Sequence, residues 1–358
     1  MNVTGIAATV VAGALLVAVS AGLGYRRLRQ ARVAARLRIT GSNGIVEGRF
    51  VPIGGIEQWI HVRGSDRANP ILLVVPGSGL TLEPFSPLLR AWEPHFTVAC
   101  WDRRDVGRTL GRNGRTGNES WTYELLAADG LQVAEYLCRS LGQAKVILLG
   151  HSQGSIVATL MARRRPDLFH AYVGTGQVAD MPRNEQLSHR AALTRAQQAG
   201  NRRASQALAR LAPPYRDSRT WIAKQRWSMS TDPGLAAWQR LAPAIVLTWP
   251  GYRIADVYRS FRGVLFMPPQ IFSQTLNCTP DWLGTDIQVP YVILQGADDR
   301  HTFPELAREY LAAVRAPTKD FVLLPGCGHL ALLQQPELLL TELLTRVRPL
   351  AATPSSSS

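Results

Sequence analysis

The sequence predicts an α/β protein: a mostly parallel central sheet with helices on both faces, an inserted helical cap, and an N-terminal transmembrane helix. Three observations carry this. Short apolar runs without polar alternation recur along the chain, helical patterns separate most of them, and a long stretch without ionisable side chains opens the sequence. At 358 residues, 46% hydrophobic and 18% charged, the chain can bury a sizeable core, and disorder throughout is excluded.

The opening stretch, residues 5–24, reads GIAATVVAGALLVAVSAGLG. At about 1.5 Å of rise per residue a helix of this length matches a hydrocarbon core of about 30 Å. The basic residues follow the run (Arg26, Arg27, Arg29, Arg32, Arg36, Arg38), whereas a cleaved signal peptide wants them before it. Residues 1–25 therefore read as an uncleaved anchor. Residues 26–46 read as a basic linker able to meet anionic headgroups. Arginines beside a span favour the cytoplasmic side, which places the catalytic body there. The formal net charge of +14 also raises nucleic acid as a partner, but no helix-turn-helix, zinc finger or aromatic-basic platform accompanies it.

The body, residues 47–350, opens with a β-hairpin pattern over residues 47–64, turning at Gly54-Gly55. Apolar runs at 71–75, 96–101, 146–149, 171–173, 291–294 and 321–324 have the composition of strands buried on both faces. Helical patterns cover 123–141, 152–164, 304–314 and 336–347. Roughly 110 residues separate the apolar run near 173 from the next one, too many for a loop, so a helical insertion is expected at about 178–288, with one strong helix over 191–211. Residues 351–358, AATPSSSS, form a polar tail expected to be disordered. Cys100, Cys138, Cys278 and Cys327 show neither CxxC pairing nor metal-ligand spacing; no disulfide framework, metal or cofactor is expected.

The chemistry centres on Gly150-His151-Ser152-Gln153-Gly154. This G-x-S-x-G follows a strand and precedes a helix, the placement a nucleophile elbow needs to present a serine hydroxyl at a helix N-terminus. Such a hydroxyl requires a histidine to take its proton and an acid to orient that histidine. Of seven histidines, His329 lies in a glycine-rich loop just after the last strand, and His301 is a weaker rival. His61, His95, His170 and His189 read as structural, and His151 is too close in the chain to fold back onto Ser152. The acid should follow a neighbouring parallel strand, where Asp298 and Asp299 both stand.

These pieces resemble the α/β-hydrolase superfamily and, more narrowly, the proline iminopeptidase group of serine hydrolases, over about residues 48–348. The resemblance rests on Pro76-Gly77-Ser78-Gly79, on Asp102-Arg103-Arg104-Asp105-Val106-Gly107, on the elbow, on Gly296 to Asp299, and on Gly328-His329. It implies a triad of Ser152, Asp299 and His329, with Asp298 as the alternative acid. It also implies an oxyanion hole from the backbone N–H of Gln153 and of Ser78, or Gly77 in its place. Two departures stand out. Pro76 replaces the group's usual histidine, and Asp105 replaces a glycine, where an aspartate able to adopt left-handed backbone would preserve the turn.

Residues 181–270 hold thirteen arginines and Lys224 against Glu185, Asp217, Asp232 and Asp256. Aminopeptidases of the group hold a substrate ammonium with acidic cap residues, which this balance disfavours. Trp221, Trp227, Trp238 and Trp249 supply core or pocket surface. The expected function is a membrane-anchored serine hydrolase acting on an uncharged or anionic, fairly apolar ester or amide through an acyl-enzyme. A prolyl-type aminopeptidase is the alternative. A catalytically idle fold used for binding is the reading from another class, and the complete triad argues against it.

Overall fold

The computed structural model describes residues 3–264 and 267–351. Strands β1 (Ile45–Ile53), β2 (Ile56–Gly64), β3 (Ile71–Val75), β4 (Thr97–Asp102), β5 (Val146–His151), β6 (Phe169–Thr175), β7 (Tyr291–Gly296) and β8 (Lys319–Leu324) form one sheet in the order 1-2-4-3-5-6-7-8. The β1–β2 hairpin and the β2–β4 pair are antiparallel, and every other pair is parallel. Burial on both faces explains the unalternating runs of β3, β4, β5 and β7, whose side chains are all buried, but not the run at 321–324: β8 is an edge strand, and only Leu324 of that run is buried while Leu323 is exposed. Leu73, Val75 and Leu148 join one core layer, while Leu72, Val74 and Leu149 join the other.

Helix α1 spans Val3–Arg36, and the body's helices begin with α2 (Gly107–Asn113), α3 (Tyr123–Leu141) and α4 (Gln153–Arg164). The insertion between β6 and β7 is helical throughout its regular structure: α5 (Met181–Gln198), α6 (Arg202–Arg210), α7 (Ser218–Thr231), α8 (Pro233–Thr248), α9 (Ile254–Val264), α10 (Pro269–Leu276) and α11 (Pro280–Leu283). The body closes with α12 (Pro304–Ala313), α13 (Ala331–Gln334) and α14 (Pro336–Glu342). The single helix expected over 191–211 is two, because Gly200 takes a left-handed φ of +63° and Asn201 caps the next helix through Ala204 N. The last expected helix is α-helical only to Glu342 and then widens to π geometry over Leu343–Val347. Residues 352–358, nearly all of the expected tail, lie outside the described residues.

Helix α1 does not stop at the first arginine but carries Arg26, Arg27, Arg29, Arg32 and Arg36 in its last third. Its stretch Val11–Arg36 is long and apolar enough to cross a membrane, with Leu16 and Val17 68% and 71% exposed. The arginine-bearing end of that stretch docks on the insertion. Arg26 donates to the carbonyls of Leu247 (2.9 Å) and Tyr252 (2.5 Å), and Gln30 to those of Trp249 (2.7 Å) and Tyr252 (3.1 Å). Buried Arg63, paired with Glu93 at 2.7 Å, donates to Leu37 O at 2.5 Å and so fixes the chain where it leaves the helix.

The same junction, Trp249 to Tyr252, is bolted to the body from inside. The buried Glu83 carboxylate accepts from the indoles of Trp59 on β2 (2.7 Å) and Trp249 (2.9 Å). Arg108 approaches Glu83 at 3.6 Å and lies over the rings of Trp59 and Tyr252. Burial, aided by Asp102, pushes the Glu83 carboxyl up to about 7 against the pull of Arg108 and the two indoles.

The folded protein thus keeps the Glu83 proton to about pH 7, whereas an ordinary glutamate releases it near 4.5. Across that window the native state binds more protons than the unfolded chain, so this group's contribution to stability falls as pH rises. The difference in unfolding free energy between wild type and Glu83→Gln should therefore decline from about pH 4.5 to about 7 and level off above it. Urea denaturation across that range measures it, and a pH-independent difference contradicts the assignment.

Candidate active site

Strand β5 delivers Ser152 into a turn whose backbone (φ 54°, ψ −128°) is the one positive-φ residue other than glycine among those described. The turn is tight because α4 starts at the next residue and presses against the end of β3. A Cβ on Gly154 would lie 2.1 Å from the Val75 carbonyl oxygen, so only glycine fits there. Hydrogen bonds hold the turn from both sides: Ser152 N donates to Thr175 O (3.0 Å), and Ser155 N and Oγ donate to Ser152 O (2.8 and 2.6 Å).

His329, in the loop after β8, places Nε2 3.0 Å from Ser152 Oγ and Nδ1 3.0 Å from Asp299 Oδ2. Asp299 is fully buried and accepts four further hydrogen bonds. Oδ1 takes the backbone N–H of His301 (2.8 Å) and Thr302 (2.9 Å), and Oδ2 takes Thr302 Oγ1 (2.8 Å) and Gln295 Nε2 (3.0 Å). Burial alone would raise the carboxyl's proton affinity, but the His329 ring and these donors outweigh it and hold Asp299 below the usual carboxylate range. Asp298 is exposed, its N–H is bonded to Cys327 O, and among the described residues its carboxylate makes no hydrogen bond to the imidazole. Of the two aspartates the sequence offers, Asp299 meets the histidine.

His301, the rival histidine, packs at a tilt against His329 with ring centroids 4.7 Å apart and contributes its backbone N–H to Asp299. The His151 ring also lies against His329, at 5.1 Å. Both are held neutral, chiefly by burial and then by the neighbouring His329: His151 is pushed down to about 3 and His301 well below its ordinary value. Elsewhere His61 packs edge-on to Trp249, and His189 bonds the Leu208 carbonyl.

On the opposite side of Ser152, the loop after β3 brings Gly77 into contact. A Cβ built on Gly77 would meet Ser152 Cβ at 3.0 Å and His151 O at 3.3 Å. Ser78 is half-buried in the same loop, and the Gln153 N–H opens α4. The Gln153 side chain reaches toward Thr275 of α10 at 3.4 Å, while its Oε1 is shielded without a hydrogen-bond partner. Asp105 does not adopt the left-handed backbone expected of it. Its carboxylate instead holds the fully buried Arg103 (3.0 and 2.9 Å), which donates to Pro76 O at 2.7 Å and so braces the β3 loop. Gln295, Thr302 and Arg103 are supporting residues the sequence reading missed. Only Thr302, three residues after an aspartate, carried a local turn signal.

A cleft of about 950 Å³ opens beside His329. Its apolar lining comes from Leu235, Trp238, Leu241 and Ile245 of α8 with Leu88 and Leu333, and its charged lining from Arg190, Arg195 and Arg300 with Asp298 and with Asp232, the N-cap of α8. Trp221 and Trp249 are buried, so the insertion's tryptophans divide between core and cleft. Among the described residues, no group of three or more His, Cys, Asp or Glu is placed to hold a metal ion.

A strand-turn-helix serine bonded to a histidine and a buried aspartate, in the order serine, acid, histidine, is the arrangement of an α/β hydrolase. The family model described as the alpha/beta hydrolase family matches residues 72–342, and the chain belongs to that family. It is similar to the probable aminopeptidase YbaC of Bacillus subtilis (strain 168), 26% identical over 298 residues that cover 80% of this chain and 91% of the relative. Among solved structures it resembles a proline iminopeptidase-related protein of Thermus thermophilus, with a TM-score of 0.60, 22% identity, and 86% and 99% of the two chains covered. A bacterial membrane phospholipase A superposes with a TM-score of 0.57 and 18% identity, covering 96% of this chain and 99% of its own. An esterase of Thermogutta terrifontis gives 0.51 and 18%, covering 86% and 100%. These structural likenesses establish the shared fold.

The Ser152 backbone makes a direct prediction. A non-glycine residue in such a region costs about 1–3 kcal/mol, and glycine gives back about 0.4–1 kcal/mol through the unfolded chain. Ser152→Gly should therefore be about 1 kcal/mol more stable than Ser152→Ala in chemical denaturation. Equal stabilities would show the turn to be unstrained.

Proposed function

We propose that this protein is a membrane-anchored serine hydrolase that cleaves carboxylic esters through an acyl-enzyme, with Ser152 as nucleophile, His329 as general base and Asp299 as its orienting acid. The observation that carries the reading is the continuous relay from Ser152 Oγ through both ring nitrogens of His329 to Asp299, 3.0 Å at each step. Ser152 Oγ attacks the substrate carbonyl while Nε2 takes its proton. The negative charge that develops on the carbonyl oxygen is received by the N–H of Gln153 and of Gly77 or Ser78. Collapse breaks the ester C–O bond, and Nε2 returns the proton to the departing alcohol. Water, deprotonated by the same nitrogen, then attacks the acyl carbon; the carboxylic acid leaves and Ser152 regains its hydrogen.

Ester is favoured over amine-bearing peptide by where the insertion's acids are placed. Glu185 is buried and committed to Lys224 (2.8 Å) and Gln225 (3.2 Å). Asp217 caps α7, and Asp256 bonds Arg253 N at the start of α9. Asp232 faces the cleft while it caps α8, and with Asp298 it is outnumbered there by three arginines. A substrate ammonium would meet net repulsion. The second reading, a prolyl-type aminopeptidase, is favoured by the likeness to the probable aminopeptidase YbaC and by these two carboxylates on the cleft. The completeness of the relay opposes the catalytically idle reading. Helix α1 serves as the single-pass anchor, its exposed Arg27, Arg29, Arg32 and Arg36 on the cytoplasmic side against anionic headgroups and the catalytic body with them.

A fluorophosphonate probe should label the wild type at Ser152 and leave Ser152→Ala unlabelled. His329→Ala should lower ester kcat at least about 10³-fold. Short and medium acyl p-nitrophenyl esters should show higher kcat/KM than proline p-nitroanilide. Faster, amine-dependent cleavage of the proline substrate would establish the aminopeptidase instead.

The full chain should remain in carbonate-washed membranes, and a chain lacking residues 1–25 should be released from vesicles by salt, as exposed arginine contacts are. A wholly soluble full-length protein would remove the anchor from this reading. Protection of the body from protease added on the cytoplasmic face would reverse the orientation.

A further inference from the structure

We propose that the cleft beside His329 is the leaving-group site and that Arg190, Arg195 and Arg300 make it selective for esters whose alcohol portion carries a phosphate or carboxylate next to a hydrocarbon segment. This rests on the serine hydrolase reading and names its substrate class.

The first ground is position. In the acylation step His329 Nε2 hands its proton to the departing alcohol, so the alcohol portion lies on the histidine side of the nucleophile. His329 lines the cleft, as do Gly326 and Gly328 of its own loop. A volume of about 950 Å³ far exceeds what a methyl or ethyl alcohol fills and is the size of a site for a bulky organic fragment.

The second ground is the chemistry of the lining. Leu235, Trp238, Leu241 and Ile245 project from successive turns of α8 and present hydrocarbon without hydrogen-bonding demand, apart from the Trp238 indole N–H. None of the three arginines that share the lining takes part in an ion pair among the described residues. The wider body behaves otherwise, with Arg63, Arg103 and Arg104 each paired to a carboxylate within 3 Å. Arg195 Nε is shielded from solvent, while the residue as a whole is half-buried and lines the cleft. Burial and Arg300 both work against the Arg195 charge, and Asp232 works for it. Arg195 and His329 line the same cleft, which places this charge on the histidine side of the nucleophile. An incoming anion would relieve the repulsion between Arg195 and Arg300, and guanidinium groups meet phosphate and carboxylate equally well with two parallel hydrogen bonds. Asp232 and Asp298 set the limit, since they leave the lining with an excess of one positive charge, suited to a single anionic group.

The test uses the full-length protein in detergent and three substrates with one acyl skeleton: 1,2-dihexanoylglycerol, its 3-phosphate and its 3-hemisuccinate, with hexanoate release as the readout. The wild type should prefer an anionic ester to the neutral one by at least about fivefold in kcat/KM, and the phosphate and hemisuccinate arms identify which anion is the better fit. Arg195→Gln and Arg300→Gln should each lower that preference about tenfold. Asp232→Asn, which keeps the helix cap, should raise it, a change of opposite sign that misfolding cannot imitate. Arg240→Gln, on the exposed face of α8 away from the cleft, should leave the preference as it is. A wild type that favours the neutral ester, or arginine variants with an unaltered preference, would overturn the inference while leaving the serine hydrolase intact. Absence of Ser152-dependent hexanoate from all three substrates would instead overturn the hydrolase reading itself.

Discussion

The site depends on one backbone constraint, the left-handed turn at Ser152 wedged between the end of β3 and the start of α4. Regular strand or helix geometry at that residue would turn the hydroxyl into the packed layers. Positive φ turns it outward over the carboxyl edge of the sheet, and the cost is borne by the neighbours that lock it: Gly154 against the Val75 carbonyl, Thr175 O on the Ser152 N–H, and Ser155 on the Ser152 carbonyl. Once the hydroxyl is fixed, the loops after β7 and β8 need only bring Asp299 and His329 to one point. The parallel register β6-β7-β8 aligns their ends at that edge.

Asp299 shows how a buried charge becomes usable. An unpaired carboxylate in this layer would take up a proton and cease to polarise the imidazole. Two backbone N–H groups, the Thr302 hydroxyl and the Gln295 amide each donate to it, so the charge is solvated by the protein and leaves Oδ2 facing Nδ1. The neutral His151 and His301 rings, both packed against His329, add bulk that does not compete for its proton.

What the sequence disclosed follows from what is local. Strands buried on both faces announce themselves as apolar runs, and the elbow is five consecutive residues whose glycines are dictated by packing. The choice between Asp298 and Asp299 is not local, because two adjacent aspartates carry the same signal and only the three-dimensional path of the His329 loop decides which one the imidazole meets. Arg103 was invisible for the same reason: its partner Asp105 is two residues away, but its purpose, the Pro76 carbonyl, is on another strand's loop. Gly200 was read as part of a helix because a lone glycine inside a periodic pattern does not declare its sign of φ. The apolar character of the opening helix was legible, and its grip on the insertion was not, since arginine and glutamine bonding to carbonyls leave no pattern in either segment.

That grip has a particular form. Arg26 and Gln30 hold the end of α8 by its main-chain oxygens, which every amino acid possesses. The joint is therefore blind to the side chains of residues 247, 249 and 252, although Trp249 and Tyr252 have separate duties inside. Substitution at residue 247, 249 or 252 leaves its main-chain acceptor in place, whereas substitution of Arg26 or Gln30 removes the donor. The cleft-lining helix α8 and the opening helix are thus joined by bonds whose identity is written on one side only.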